Sequence, residues 1–472
     1  MMKALQQICA GLLLLPAASL WSQVDNTPTA PSTANVGAQN APAPPVPAVV
    51  DPQGTSDRML TPPPVSGQSF PNLPTSEERS NYLRGGLAFT GAYTDNALGS
   101  VTPQPVSDVS YSVAPFVSLD ETTPRLHVVT TYAPGFTFYQ KNSSRNEQDQ
   151  NASINLQYRL SPHVTFSAVD GFQKSSNVFN QLDLAAAAAV SGATQQSNFS
   201  VIAPIADLLR NTGNVDITYQ FAANSMVGAS GTFTNLHYPN QSEVPGLVDA
   251  SSQAGSAFYA SRISKMHYVG VTYQYQRLIS YLPEGQDETQ TQAVLLFYTL
   301  YASSRFSMSF FGGPQYSDTT LPPLSPTLPQ ASSSRAWNPA AGASLGWQGR
   351  LTSVALSYAH TIAGGGGLAG AVHMDNAGLS IRQQMTRNFS GSLAGGYTQN
   401  DLLNSALVAG INGHTVSGTA SLQRQLGQHT NVQLGYTRLH QDYSGVAVLA
   451  ATPNTNREFV SISYQFSRPL GR

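Results

Sequence analysis

The sequence predicts an all-β protein, a transmembrane antiparallel up-and-down β-barrel of about 18 strands, or 16 if one hairpin is misread. Three observations carry this. From about Leu83 to the C-terminus, apolar and small polar residues alternate with the period of two that a strand imposes. Only 10% of residues are charged, against about 25% in soluble proteins. No run of 18 apolar residues follows the N-terminus, which excludes a helical membrane protein, whereas 39 Gly and 21 Tyr suit strands with one lipid face and one water face.

The elements follow in chain order. Lys3, the apolar run Ile8 to Ala18 and the small residues to Ser22 read as a signal peptide over residues 1–22. Cys9, the sole cysteine, lies inside it, so disulfides, Cys metal sites and thiol chemistry are not expected of the mature chain. Residues 23–82, with APAPPVPAVV and TPPPV, read as a Pro-rich periplasmic linker too poor in core residues to plug a pore. The barrel is expected over 83–467, with a short tail at 468–472.

Within the barrel one unit repeats: strand, tight turn, strand, longer loop. Its clearest copies are QYRLSPHVTFSAV (157–169), SRISKMHYVGVTYQY (261–275), RQQMTRNFSGSLAGGYT (382–398) and QRQLGQHTNVQLGYT (423–437). Further short turns are expected at Asp120–Thr123, Ala222–Ser225, Ser303–Arg305 and Gln348–Arg350. Eight turns, with an unpaired strand at each end, make 18 strands. Alternation assigns the faces. Val269, Val271, Tyr273 and Tyr275 point outward, against Gly270, Thr272, Gln274 and Gln276. Leu393 and Tyr397 point outward, against Ser390, Ser392 and Thr398. Phe306 and Tyr316 share one face ten residues apart, about 25 Å vertically for a tilted strand, the height of an apolar band with an aromatic at each interface.

The final segment, REFVSISYQFSRPLGR, has an outward row of Val460, Ile462, Tyr464 and Phe466 and an inward row of Ser461, Ser463 and Gln465. It resembles the terminal strand of Gram-negative outer-membrane β-barrels of the porin-like class, although six residues follow Phe466 here. That resemblance implies an outer-membrane location, the barrel assembly machinery as a partner that reads this strand, and pairing of the strand with the first one near Leu87 to close the barrel.

Short turns belong to the periplasmic side and long loops to the outside. The loops expected are Lys141–Gln150, Ser175–Arg210, His237–Ser256, Asp318–Arg335, Ala363–Ala371 and Asp401–Ile411. The longest contains LDLAAAAAV and IAPIADLLR, two candidate short helices, which either fold into the pore or stand above it. Glu147, Asp149, Glu243, Asp249, Glu284, Asp287 and Glu288 fall in loops, where a solvated surface is the plainer reading and divalent bridging to lipopolysaccharide the sharper one.

No catalytic or cofactor site is expected. Gly342-Ala343-Ser344-Leu345-Gly346 matches GxSxG but lies inside an alternating strand, not on a strand-to-helix elbow. His414 and Ser417 alternate to opposite faces, and the nine His form no metal-ligand spacing. A net charge of −2 with four Lys gives no footprint for nucleic acid. Arg159, Arg262 and Arg382 fall on inward positions beside turns. They either ring the periplasmic mouth and favour anions or, as paired lumen charges commonly do, support the wall. Arg424 shares parity with Leu422 and should snorkel to the headgroups.

A wide barrel with small neutral residues inside implies an outer-membrane channel for passive diffusion or export of small neutral polar solutes, saccharides included. The other readings are a barrel beside exopolysaccharide secretion machinery, or a non-conducting structural or adhesion barrel. No flat apolar wall that would fix an oligomeric state is identified.

Overall fold

The computed structural model describes residues 81–97, 105–175, 179, 198, 200–201, 207–283, 285–303, 305–322, 332–403, 412–446 and 454–470. The expected signal peptide, Cys9 and residues 23–80 of the expected linker lie outside them, whereas Asn81 and Tyr82, also expected in the linker, open the first strand. The described chain is almost entirely strand. On one side run β1 (Asn81–Thr94), β2 (Asp108–Thr122), β3 (Leu126–Tyr139), β4 (Glu147–Arg159), β5 (Val164–Ser175) and β6 (Leu208–Ala222). Next come β7 (Ser225–His237), β8 (Asp249–Arg262), β9 (His267–Leu282), β10 (Gly285–Ser303), β11 (Phe306–Leu321) and β12 (Ser332–Gln348). The circuit ends with β13 (Thr352–Gly364), β14 (Ala371–Thr386), β15 (Phe389–Leu402), β16 (Asn412–Leu426), β17 (Thr430–Tyr443) and β18 (Thr455–Pro469).

Each strand pairs antiparallel with its sequence neighbours, and β1 pairs with both β2 and β18, so the 18-stranded sheet is closed. The closing register runs from Tyr82↔Pro469 to Thr94↔Arg457 and sets Leu87 opposite Tyr464 and Phe89 opposite Ile462. Closure matters because a backbone in hydrocarbon has no water to bond, and only a sheet without edges satisfies every N–H and C=O.

The outer face is apolar and exposed in the pattern alternation requires. Val460, Ile462, Tyr464 and Phe466 are all exposed, while Ser461 and Ser463 are buried inside. On β11 and β12, Phe306 pairs with Trp347 at the turn end, and Tyr316 meets Trp337 at the loop end with ring centroids 5.2 Å apart. On this strand pair aromatic side chains thus bound the apolar band at both ends. An even-stranded, single-chain antiparallel barrel with such a band is the architecture of outer-membrane proteins, and the outer membrane is where this barrel belongs.

The eight expected tight turns all join consecutive strands at one end of the barrel, although the one expected at Asp120–Thr123 is shifted to residues 123–125, Asp120 to Thr122 belonging to β2. The loop boundaries need correction. Expected loop residues Glu147 and Asp149 lie in β4, Asp249 to Ser256 in β8, and Asp287 and Glu288 in β10, while Leu208 to Arg210, the end of the second candidate helix, open β6. The reason is visible on β10. Its outward row runs Leu300, Tyr298, Leu296, Val294 and then turns polar at Gln292, Gln290, Glu288 and Gln286. The membrane-spanning part therefore ends near Val294, and the wall continues above it as strand. There Arg277 and Glu288 form an outward ion pair at 2.7 Å, and β9 and β10 are joined by only two residues, 283–284.

The inner face is not uniformly polar. Between β7 and β13 it carries a dry cluster that includes Met226, Tyr268, Leu295, Phe297, Tyr301 and Phe311. Phe297 lies across Gly270 on β9, where a Cβ would come within 2.3 Å of both the ring Cζ and the Tyr259 carbonyl oxygen. A Gly270→Ala variant should lose about 1–3 kcal/mol in urea unfolding of lipid-refolded protein, the usual cost of overpacking. Gly255→Ala, whose Cβ would meet only the Ser230 carbonyl oxygen at 3.9 Å, should stay within about 0.5 kcal/mol.

Candidate functional site

The candidate site offered by the described residues of this closed barrel is its lumen. Over much of its height the inner wall is built from short hydroxyl side chains that bond across strands: Thr90 to Ser461 at 2.9 Å, Ser112 with Thr137 at 3.1 Å, and Ser392 with Ser421 at 2.8 Å. Such pairs present a neutral, already satisfied surface that neither grips an ion nor excludes water. Toward the turn end the lumen is open: Ser153, Asn155 and Gln157, inward on β4, are exposed to solvent.

The three inward arginines stand on β4, β8 and β14, which are not neighbours in the sheet. Arg262 donates to Asn224 Oδ1 at 2.9 Å and to the Ala223 carbonyl at 3.1 Å, so it fastens the β6–β7 turn and serves the wall. Arg159 and Arg382 keep their inward positions beside turns, and Arg382 is half-buried. Sequence reasoning missed three further inward arginines. Arg84 meets Asp120 at 3.3 Å, which His127 also reaches at 3.2 Å. Arg210 and Arg457 are buried at 3% and 2% exposure near the loop end.

At the loop end the lumen is filled. Asn96, Thr137, Asp149 and Ser175, inward on β1–β5 or just beyond, are each at most 3% exposed. A second dry cluster joins opposite walls: Leu208 and Leu236 from β6 and β7 pack in one core with Val372, Leu402 and Tyr443 from β14, β15 and β17. Loops supply its centre, namely Val244 and Leu247 between β7 and β8, Leu368 between β13 and β14, and Val446 after β17.

The long β5–β6 connection takes part: Asn198, Ser200 and Phe179 meet inward wall residues, whereas Asp207, at its end, pairs with the outward Lys174 at 3.0 Å. Asn198 Nδ2 donates to Asn400 Oδ1 at 2.9 Å, Asn400 Nδ2 donates to Ser200 Oγ at 2.8 Å, and Thr415 Oγ1 donates to the Ser200 carbonyl at 2.8 Å. Phe179 sits under the Arg457 guanidinium at 5.0 Å from the ring centroid, against β18. Of the two placements open from sequence, Phe179, Asn198, Ser200 and Val201 adopt the inward one. The candidate helix LDLAAAAAV lies outside the described residues.

The tip between β13 and β14, residues 365–370, completes the roof. Gly366, Gly367 and Gly370 have φ of 66°, 111° and 99°, a region other residues rarely adopt. Space is as restrictive as torsion: a Cβ on Gly366 would come within 2.7 Å of the Asn198 carbonyl, and one on Gly367 within 2.5 Å of Tyr238 Oη. The glycine run lets bare backbone thread the crowded mouth.

The chemistry motifs resolve as strand positions. Ser344 is in the middle of β12, and His414 and Ser417 lie on opposite faces of β16. No three His, Cys, Asp or Glu among the described residues are grouped so as to hold a metal ion. Four histidines scattered in sequence do gather on the outer rim: His360 stacks on His373 at 6.1 Å, and His414 approaches His440 at 5.3 Å. Arg424 is outward and exposed at the turn end.

No protein-family model and no curated protein matches this chain. Among solved structures, Pseudomonas aeruginosa OccK2 (OpdF) aligns with 82% of this chain and 98% of its own, at 10% identity and a TM-score of 0.40. The outer membrane protein OpdK of the same organism aligns at 8% identity and 0.39, over 82% and 99% of the two chains. Acinetobacter baumannii OccAB4 aligns at 9% and 0.38, over 83% and 100%. These are likenesses at low identity, and the barrel assignment rests on strand order, closure and the apolar band.

Proposed function

We propose that the protein is an outer-membrane channel for small neutral or polar solutes, saccharides included, and not an enzyme. The observation that carries this is the inner wall: hydroxyl pairs such as Thr90–Ser461 and Ser392–Ser421, with exposed Ser153, Asn155 and Gln157 toward the turn end. A lumen lined this way holds water and offers a passing solute neither a deep well nor a high barrier. Arg84 is paired with Asp120, while Arg262 keeps its charge on a turn of neutral acceptors, so charge selectivity is weak and tilted toward anions. The surroundings in this reading are outer-membrane lipid and lipopolysaccharide outside the band, with the assembly machinery acting on β18.

A second reading, a non-conducting structural or adhesion barrel, draws on the dry cluster across the loop end. Purified protein in a planar bilayer separates the two. The full chain should give small or rare open steps, and replacing residues 176–206 by a short linker should enlarge them, because Phe179, Asn198 and Ser200 then leave the lumen. Silence in both, with the barrel shown to be folded by its heat-modifiable gel mobility, would favour the non-conducting barrel.

A further inference from the structure

β13 parts from β12 before either strand ends. Their ladder covers only Ala341–Gln348 against His360–Ser353, although β12 continues back to Ser332 and β13 on to Gly364. Above His360, β13 bends into the lumen. The Ile362 amide donates to Gln315 Oε1 on β11 at 3.2 Å. Ile362 and Ala371 then pack with Leu278 on β9 as a small dry cluster. The tip that follows touches β9 and the β7–β8 loop, with the Gly370 amide donating to Ser280 Oγ at 3.1 Å and the Gly367 carbonyl accepting from the Val248 amide at 2.7 Å.

Beneath the tip is Asp287 on β10, 5% exposed, with Oδ1 buried and lacking a hydrogen-bond partner among the described residues. A Cβ on Gly370 would stand 2.8 Å from its Oδ2, so the tip lies directly on the carboxyl. An ionised carboxylate in that position has lost water and gained no donor, which is costly; a protonated one is tolerated.

We infer that the β13–β14 tip is the gate of the channel and Asp287 its latch: the tip lies down on the neutral carboxyl and lifts from the charged one. This rests on the channel reading above. Lifting breaks no β12 ladder bond, because the upper part of β13 has none. It removes Leu368 from the core that bridges the walls.

The latch is electrically simple. Opposite Asp287 on β9 is uncharged Ser280, β11 brings Thr319 and Leu321, and the tip carries no titratable group. Glu288 and Arg277 pair with each other on the outer face. Tyr238 stands across the tip against Gly367, with Arg210 near it. Asp287 lies above the membrane-spanning part of β10, and burial alone pushes its carboxyl up to about 6, against about 3.9 for a solvated aspartate. The closed state therefore binds the proton more tightly. The closed-to-open ratio is greatest below about pH 4, falls about tenfold per pH unit up to about pH 6, and is flat above, about a hundredfold in all.

Single-channel recording with the loop side taken from pH 7.5 to 4.5 tests this. The full chain should close on acidification. Asp287→Asn should stay at the acid level of closure at every pH, and a variant with residues 365–369 replaced by a two-residue turn should conduct throughout. An acid response that survives in Asp287→Asn, or a full chain that conducts equally at both extremes, would overturn the latch. A shortened-tip variant that closes with acid as the full chain does would overturn the gate. Silence of the folded shortened-tip variant at all pH values would overturn the gate, and silence of the 176–206 replacement as well would remove the channel reading beneath it.

Discussion

Removing Arg457–Arg472 should abolish assembly, with no folded protein in the outer-membrane fraction. The truncation deletes nearly all of β18, which is hydrogen-bonded to β1 from Tyr82↔Pro469 to Thr94↔Arg457 and to β17 from Thr430↔Tyr464 to Leu439↔Thr455. Both neighbours would then present unpaired backbone to lipid, at several kcal/mol for each unsatisfied group. The buried Arg457 contact with Phe179 and the Phe459 ring over Gly435 go as well. Immunoblotting of membrane fractions with and without boiling measures the result. A heat-modifiable band at normal abundance would mean that β1 and β17 close without β18.

The second large effect concerns the two faces of the wall. Ile462→Arg places a charge in the apolar band at a position 50% exposed to lipid and should cost about 2–4 kcal/mol. Asn155→Arg puts the same side chain into the exposed lumen face of β4 and should change stability by about 0.5 kcal/mol or less. Urea titration of both variants refolded in lipid gives the comparison. Equal losses would mean that Asn155 does not face water or that Ile462 does not face hydrocarbon.

Alternation made the strands legible, because each membrane-spanning segment obeys one rule: apolar to lipid, small and polar to water. The row Val460, Ile462, Tyr464, Phe466 and the pair Phe306 and Tyr316 are cases where periodicity alone assigns face and height. Alternation fails where a strand is covered on both sides. From Ala293 to Tyr301 both faces of β10 are largely apolar, the mark of a strand buried on both faces. That double-faced apolar run is the sequence signal of the inner cluster around Phe297. The loop limits were set too wide because strands that rise above the band look polar on both faces, as Asp287 and Glu288 do.

The roof was not legible at all. Val201, Leu368 and Val446 come from three different loops and meet only in space. The glycine run 364–367 announces close approach but does not say to what. The outer histidine pairs are equally a product of register, since His360 faces Asp375 and Val416 faces His440 across neighbouring strands.

The central claim is a lumen wet at the turn end and packed shut at the loop end, and cysteine accessibility tests it most directly. Single cysteines at Asn155 and Ile462, in a strain without its major porins, would be exposed to a membrane-impermeant charged maleimide. Asn155→Cys should react quickly once the outer membrane is opened to give access from the turn side, and slowly in intact cells, where a reagent bulkier than a permeating ion must pass Asn198 and Ser200 and the cluster of Leu208, Leu236, Val372 and Tyr443, all of which stay in place when the tip lifts. Ile462→Cys should remain unlabelled in both. Equally fast labelling of Asn155→Cys from outside intact cells would contradict the roof, and labelling of Ile462→Cys there would contradict the barrel.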